Sequence, residues 1–135
     1  MALKDRELLG LKDIEGPMGT HDAFMKREVD RRQEALACVD DVSRLAEYIG
    51  GTVDSLGRSE TWVIVKEIFP GIEIIFIYDR ADEEFPSRLR VLYSGDRIRY
   101  TRGEDLADLT IACVNQMLRY VKETVADAPE ICMRV

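Results

Sequence analysis

The chain has few of the residues that build metal and redox sites. It contains one histidine, His21, and three cysteines, Cys38, Cys113 and Cys132, which lie far apart and form no CxxC pair. A zinc site needs several such ligands at close spacing, and a disulfide framework uses cysteines in pairs. The composition therefore predicts no cofactor. Cys38 and Cys113 fall in apolar helical patterns, where a cysteine acts as a small buried side chain.

Basic residues are outnumbered by acidic ones, 19 to 26, and the formal net charge is −7. Nucleic acids and anionic lipid surfaces attract proteins through a basic field. We therefore expect neither a nucleic acid nor a membrane surface as a partner.

Long apolar runs are also missing. A membrane-spanning helix needs about 20 apolar residues, and no stretch here reaches that length. The first ten residues, MALKDRELLG, carry charges where a signal peptide has its apolar centre. These two features predict a cytoplasmic protein.

The sequence carries none of the short catalytic patterns. It has no P-loop, no GxGxxG, no GxSxG and no HExxH. We assign no catalytic residue from the sequence, which favours a non-enzymatic protein.

Residues 60–79, ETWVIVKEIFPGIEIIFIYD, form the most apolar part of the chain. Two β-branched and aromatic runs are joined at Pro70-Gly71, which predicts two strands linked by a turn with a bulge or a looser connection. Apolar side chains occupy both faces of each run, whereas a sheet with one wet face alternates between apolar and polar residues. The pattern predicts that the second face is covered by a helix, another subunit or a ligand.

Helical periodicity flanks this stretch on both sides. Apolar residues at spacings of three and four predict one long helix over residues 23–49, ended by Gly50-Gly51. A capping box from Thr101 to Glu104 predicts a second long helix running to about Val125. That helix carries two apolar stripes, and a surface helix usually buries one. The extra stripe favours a homodimer.

The other segments complete the predicted fold. Residues 52–56, 88–93 and 97–100 have strand patterns, the last as a guarded edge strand, and residues 130–135 form an apolar tail that can add a strand or fray. The fold class is therefore α+β, with an antiparallel sheet of four to five strands between a long N-terminal and a long C-terminal helix. Residues 1–21 are predicted to be a flexible or loosely docked arm, and residues 22–135 a single domain.

One loop concentrates negative charge. Carboxylate groups at close spacing are the ligands that Ca²⁺ and Mg²⁺ use, but the spacing here lacks the ordered plan of an EF-hand. A solvated hairpin loop explains the residues without a metal, so they remain weak candidates, and arginines on the flanking strands are expected to pair with them. The four carboxylates are Asp79, Asp82, Glu83 and Glu84.

The segment around this loop resembles the central part of an uncharacterised bacterial and archaeal domain family. The likeness spans residues 72–106 and rests on a D-x-E-F-P loop (Asp82, Glu84, Phe85 and Pro86), the following strand and the helix start Glu104-Asp105-Leu106. Members of that family often lie beside iron–sulfur and corrinoid modules, so the resemblance implies a role beside redox proteins. From the residues alone, we expect Phe85 to close the end of the sheet.

Three functions are compatible with these patterns. The first is a non-enzymatic binding or accessory protein, forming a homodimer and contacting a protein partner. The second is a secretion-chaperone-like protein that binds extended partner segments by adding them to a sheet edge or groove. The third is a small-ligand protein or enzyme with a site near the acidic loop.

Overall fold

The computed structural model, which describes residues 1–135, contains one four-stranded antiparallel sheet in the order β1-β2-β3-β4. Neighbours in the sheet are neighbours in the chain. The predicted α+β class with an antiparallel sheet is confirmed. The strands are β1 (Thr52–Asp54), β2 (Trp62–Phe69), β3 (Ile72–Asp79) and β4 (Arg88–Ser94).

The turn between β2 and β3 has the predicted irregularity. Gly71 adopts φ 78°, a conformation that glycine enters without steric cost. The pairing of β2 with β3 shifts register between Glu67 and Phe69. The expected bulge is therefore present at the end of this hairpin.

Both faces of the two central strands are buried, as the apolar pattern predicts. One face packs against the helices through Trp62, Ile64, Phe76 and Tyr78. The opposite face carries a smaller cluster that includes Leu3 and Leu56 from outside the central strands. The chain itself therefore supplies the cover. The strand residues on this second face are Val63, Val65, Ile75 and Ile77.

The N-terminal segment contributes to both sides of the sheet. A short 3-10 helix, Leu3–Asp5, precedes helix α1 (Leu11–Glu15). Leu3 and Leu11 are each 1% exposed, and Leu9 is also buried. Leu9 forms an isolated antiparallel bridge with Tyr93 of β4. The expectation that residues 1–21 form a flexible or loosely docked arm stays a prediction.

The predicted long N-terminal helix over residues 23–49 is wrong. Its place is taken by three shorter elements: helix α2 (His21–Asp30), a 3-10 helix (Gln33–Cys38) and helix α3 (Val42–Ile49). Local hydrogen bonds explain both breaks. Arg32 bonds to the Glu28 carbonyl oxygen and to Asn115 Oδ1, each at 2.8 Å. Asp41 then accepts the N–H groups of Ser43 and Arg44 and starts α3 as its N-cap.

The start of α2 is capped from outside its own turn. Glu15 accepts the backbone N–H of His21 at 3.0 Å and also bonds to His21 Nδ1. Thr20, the residue at the N-cap position, makes no side-chain cap bond of its own. The His21 pKa is raised, first by the hydrogen bond to Glu15, with a smaller contribution from Glu104.

The long C-terminal helix is confirmed as α4 (Gly103–Thr124). It packs against α1, α2, α3 and the 3-10 helices at 33–38 and 130–134, so its wide apolar surface is covered within the chain. The predicted capping box is absent, because the Thr101 hydroxyl donates to the Ile98 carbonyl oxygen instead. No helix combines the length and the apolar character that crossing a membrane requires.

The predicted edge strand at 97–100 is a 3-10 helix, Ile98–Tyr100, and the tail forms another, Glu130–Arg134. A Cβ atom at Gly95 would overlap the backbone of Gly71, so the chain crosses closely over the β2–β3 turn there. Arg97 N–H then donates to the Gly71 carbonyl oxygen at 3.0 Å. The chain passes over the end of the hairpin, and β4 remains the edge of the sheet.

Candidate functional site

The acidic loop between β3 and β4 is organised by Asp82. Its carboxylate accepts the backbone N–H groups of Glu84 at 2.8 Å and Phe85 at 2.7 Å. The Asp82 N–H donates to the Phe85 carbonyl oxygen at 2.9 Å. The bond from the Phe85 N–H is the main cause that lowers the Asp82 pKa. Asp82 therefore shapes the loop as an ionised acceptor, and it is not poised as a general base.

The loop does not gather its carboxylates. Asp79 faces Arg90, with Oδ2 at 3.5 Å from the guanidinium, while Glu83 and Glu84 are exposed. No group of three or more histidine, cysteine, aspartate or glutamate side chains is placed to hold a metal ion. The weak metal candidates are thus separated by the geometry of the loop.

Phe85 and Pro86 lie on the surface of this loop. Phe85 is 67% exposed, so it does not close the end of the sheet as the sequence suggested. Its backbone is held by Asp82, which leaves the ring directed away from the core. The aromatic ring forms part of the wall of a neighbouring cleft.

This cleft, named the loop cleft here, has a volume of 910 Å³. Four arginines line the loop cleft, and two of them have a partner within the chain. Arg90 faces Asp79, and Arg80 donates to the Val39 carbonyl oxygen at 3.4 Å. Arg58 and Arg88 make no ion pair. The lining also includes Asp30, Gln33, Ser59, Glu60, Thr61, Asp79, Asp82, Phe85, Pro86 and Ser87.

Gln33 is a nearly buried polar residue in the lining of the loop cleft. It is 7% exposed, and its Oε1 accepts the hydroxyl of Ser87 at 2.8 Å. Its amide nitrogen has no partner in the chain. The nitrogen keeps contact with solvent, because the only fully buried side-chain atoms without a partner are Trp62 Nε1 and the Tyr78 hydroxyl. A ligand acceptor in the loop cleft can therefore reach it. The sequence did not single out Gln33, because the residue lies in the polar first half, KREVDRRQE, of the stretch predicted as one continuous helix.

Two further polar atoms lie unpaired in the core at this end of the sheet. Trp62 and Tyr78 stack with ring centroids 5.1 Å apart, and neither Trp62 Nε1 nor the Tyr78 hydroxyl has a hydrogen-bond partner. Burial raises the Tyr78 pKa. The nearby Ser87 hydroxyl lowers the Tyr78 pKa by a smaller amount. The Ser87 hydrogen itself is donated to Gln33 Oε1.

The outer edge of β4 is the second notable feature. Tyr93 exchanges both of its backbone hydrogen bonds with Leu9, so its N–H and C=O point away from β3. Strand backbone groups alternate in direction with a period of two. The pairing of β3 with β4 has no register shift. Leu89 and Val91 therefore also direct their N–H and C=O groups outward.

Independent contacts support this alternation. The Tyr78 carbonyl oxygen accepts the Thr61 N–H on the β2 side, so Tyr78 does not bond toward its β4 partner Leu89. No backbone hydrogen bond outside the regular elements involves Leu89 or Val91. The backbone of these two residues is named the open edge here.

A groove of 360 Å³ runs between the open edge and α2. Met25 and Val29 of α2 meet Leu89 and Val91 of β4 in its apolar part, with charged side chains around it. The remaining lining residues are Gly10, Lys12, Asp13, Asp22, Lys26, Asp30, Arg88, Arg90 and Leu92. This edge groove meets the loop cleft at three shared residues, Asp30, Arg88 and Arg90.

The fold and this site define a small α+β domain with a groove of mixed polar and apolar lining beside the open edge. The chain belongs to the family described as Domain of unknown function (DUF3786), whose model matches residues 7–116. The matched range contains all four strands and the residues of the edge groove. It agrees with the expectation of an uncharacterised domain family.

Neither the curated proteins nor the solved structures include a match to this chain.

Proposed function

We propose that this chain is a non-enzymatic binding protein that takes up an extended segment of a protein partner along the open edge. The observation that carries the proposal is the pair of residues Leu89 and Val91, whose backbone groups are unpaired beside the edge groove. Unpaired strand groups pair readily with another chain. Strand addition of this kind provides affinity through main-chain hydrogen bonds.

The edge groove supplies the selective part of the interaction. Alternate side chains of an added strand point to the same face, and one set would face α2. Met25 and Val29 are each 2% exposed there, so an apolar partner side chain would pack mainly on the half-buried Val91. Lys26, Asp30 and Arg90 border the groove and favour polar residues between the positions that face α2.

This proposal combines two expectations drawn from the sequence. It is an accessory-protein role that uses the partner-binding mode of a secretion chaperone. The D-x-E-F-P likeness implies a role beside iron–sulfur and corrinoid proteins, and we propose that the bound segment belongs to a protein of that kind. We also propose a cytoplasmic location. No residue is assigned a catalytic role.

The test is peptide binding to a variant that lacks one edge donor. Val91→Pro removes the outward N–H while leaving the β3 ladder bonds in place, since proline is tolerated at a solvent-facing edge position. Val91→Thr is the matched control, because it keeps the N–H and a β-branched side chain. A library of random octapeptides is the probe, and thermal unfolding checks that both variants are folded.

Peptides selected by the unaltered protein should bind Val91→Thr with the same affinity. They should bind Val91→Pro at least about tenfold more weakly than the unaltered protein, because one hydrogen bond in a site shielded from water is lost. Equal affinity for the two variants would rule out strand addition at β4.

We propose separately that the chain forms a homodimer through an aromatic patch at the other end of the sheet. Tyr100 is 87% exposed and Phe69 is 54% exposed, and they lie beside Ile72 and Leu109 in one depression. Aromatic residues are enriched in the centres of protein interfaces. Light scattering over a dilution series tests this, with Tyr100→Ser as the variant that should halve the mass. A monomer at every concentration would refute it.

A further inference from the structure

We infer that the segment bound along the open edge is the carboxyl terminus of its partner, with the terminal carboxylate held by Arg88 and Gln33 in the loop cleft. This inference rests on the proposed function and adds the chemistry and direction of the ligand. It follows from three observations: the direction of the N-terminal segment, the position of the loop cleft, and the donors left unpaired there.

The N-terminal segment provides a template for the direction of the bound strand, and we take that strand to follow it. Leu9 pairs antiparallel with Tyr93, and the chain then leaves the edge at Gly10, which lies in the edge groove. A strand that continues the line of Leu9 along the open edge also runs antiparallel to β4. It therefore passes Val91 first and Leu89 next, and its carboxyl end points toward Arg88.

The second observation fixes where the strand ends. The open edge extends over Leu89 and Val91, and an antiparallel strand rises about 3.4 Å per residue. About four residues of a ligand therefore cover the distance from the end of the Leu9 bridge to Arg88. At that point the edge groove opens into the loop cleft.

The third observation concerns charge. Arg88 and Arg58 are exposed and make no ion pair. The Gln33 amide nitrogen has no partner in the chain, so each of the three can donate to an oxygen ligand. The neighbouring carboxylates are mostly engaged. Asp82 accepts two N–H groups and Asp79 faces Arg90.

The two remaining acids complete the charge distribution of the loop cleft. Glu60 accepts the Arg58 N–H at 3.2 Å, and only Asp30 lacks a partner. Arginine binds carboxylates through paired, charge-assisted hydrogen bonds. The free donors at this end thus match a carboxylate, in a chain whose net charge is −7.

The experiment compares one random octapeptide library in two forms, with a free carboxyl terminus and with a carboxyl-terminal amide. The inference predicts that the protein selects peptides from the free-acid library and that their amides bind at least about tenfold more weakly. Arg88→Ala should weaken binding of the free acids by a similar factor and leave amide binding unchanged. Arg44→Ala, another exposed arginine without an ion pair, is the control and should have no effect.

Each other outcome overturns a specific part. Equal affinity of acids and amides, with binding still lost in Val91→Pro, would refute the terminal carboxylate and leave strand addition intact. Selected peptides that carry an aspartate or glutamate side chain near the Arg88 end and tolerate amidation would show that the carboxylate is internal. Selection of no peptide from either library, by a protein with unaltered thermal unfolding, would refute strand addition itself.

Discussion

Leu9 and Tyr93 exchange two backbone hydrogen bonds, each 2.8 Å long. This single bridge closes one end of the β4 edge and leaves Val91 and Leu89 without partners. A fold that needed only to protect its sheet would continue the N-terminal segment along β4, since unpaired edges promote unwanted association. Here the segment turns away at Gly10 into α1, and the edge groove begins at that point.

Amide hydrogen exchange along β4 should alternate. The N–H groups of Arg90 and Leu92 bond to β3 and should exchange slowly, whereas those of Leu89 and Val91 point outward and should exchange fast. Residue-resolved NMR of the free protein measures this directly. Slow exchange at Leu89 and Val91 would mean that α2 closes the edge, which would contradict the proposed function.

Leu3→Ala should destabilise the protein by about 2 to 5 kcal/mol, the range for removing a buried leucine side chain. Leu3 covers Val63, Ile75 and Ile77 on the second sheet face. Urea unfolding gives the change in free energy. Leu8→Ala is the control, because Leu8 is only partly buried on the same face and should lose less. Equal decreases in the free energy of unfolding for the two variants would show that Leu3 is only loosely packed, as expected for a flexible N-terminal arm.

The contact between His21 and Glu15 should make stability depend on pH. The pKa of His21 is raised from its ordinary value of 6.5, so the folded state binds the proton more tightly than the unfolded state. The stabilisation is complete below pH 6.5 and disappears as the pH rises through the higher folded-state pKa. Urea unfolding at about pH 5.5 and about pH 8.5 brackets this window.

His21→Gln supplies the comparison for this pH effect. It removes the titrating group, so the stability difference between the two pH values should become smaller than in the unaltered protein. An unchanged difference would assign the pH dependence to other groups. Because the imidazole is partly exposed, added salt should weaken the effect.

Gly103→Ala should not stabilise the protein even though alanine favours helices over glycine by about 1 kcal/mol. A Cβ atom at Gly103 would overlap the side chain of Glu15, which caps α2 through His21. The overlapping Glu15 atoms are the movable end of its side chain, so the cost is that of losing the α2 cap, about 1 kcal/mol. Thermal unfolding of Glu15→Ala with and without Gly103→Ala is the control. In that background the alanine at position 103 should become stabilising.

The sheet could be predicted well because its signals are local and strong. The apolar runs around Ile64 and Phe76 specify central strands whatever packs on them, and Pro70-Gly71 marks the turn between them. Burial of the second face was also readable from Val63 and Ile75. What covers that face was not, because Leu3 lies about sixty residues away in the chain and no pattern links the two.

The helices show where periodicity misleads. Residues 23–49 keep apolar spacing except for one missed position at Arg32. The hydrogen bond from Arg32 to Asn115, and the Ser43 N–H that Asp41 accepts, divide the helix. The alternation at Ile98 and Tyr100 likewise suggested a fifth strand. A backbone contact between Gly95 and Gly71 overrides it. That error hid the edge groove, since a fifth strand would have covered β4.

The position of Leu9 also bears on synthesis. Leu3 and Leu9 are made before the strands that they contact, which follow only after some sixty to ninety further residues. Contacts of such long sequence separation form late, because the intervening loop must close first. Until Tyr93 is made, the nascent sheet has no bridge at the β4 edge. Leu9 therefore stays without its strand partner until synthesis has passed β4, whereas Leu3 can pack on the second sheet face as soon as β3 is complete.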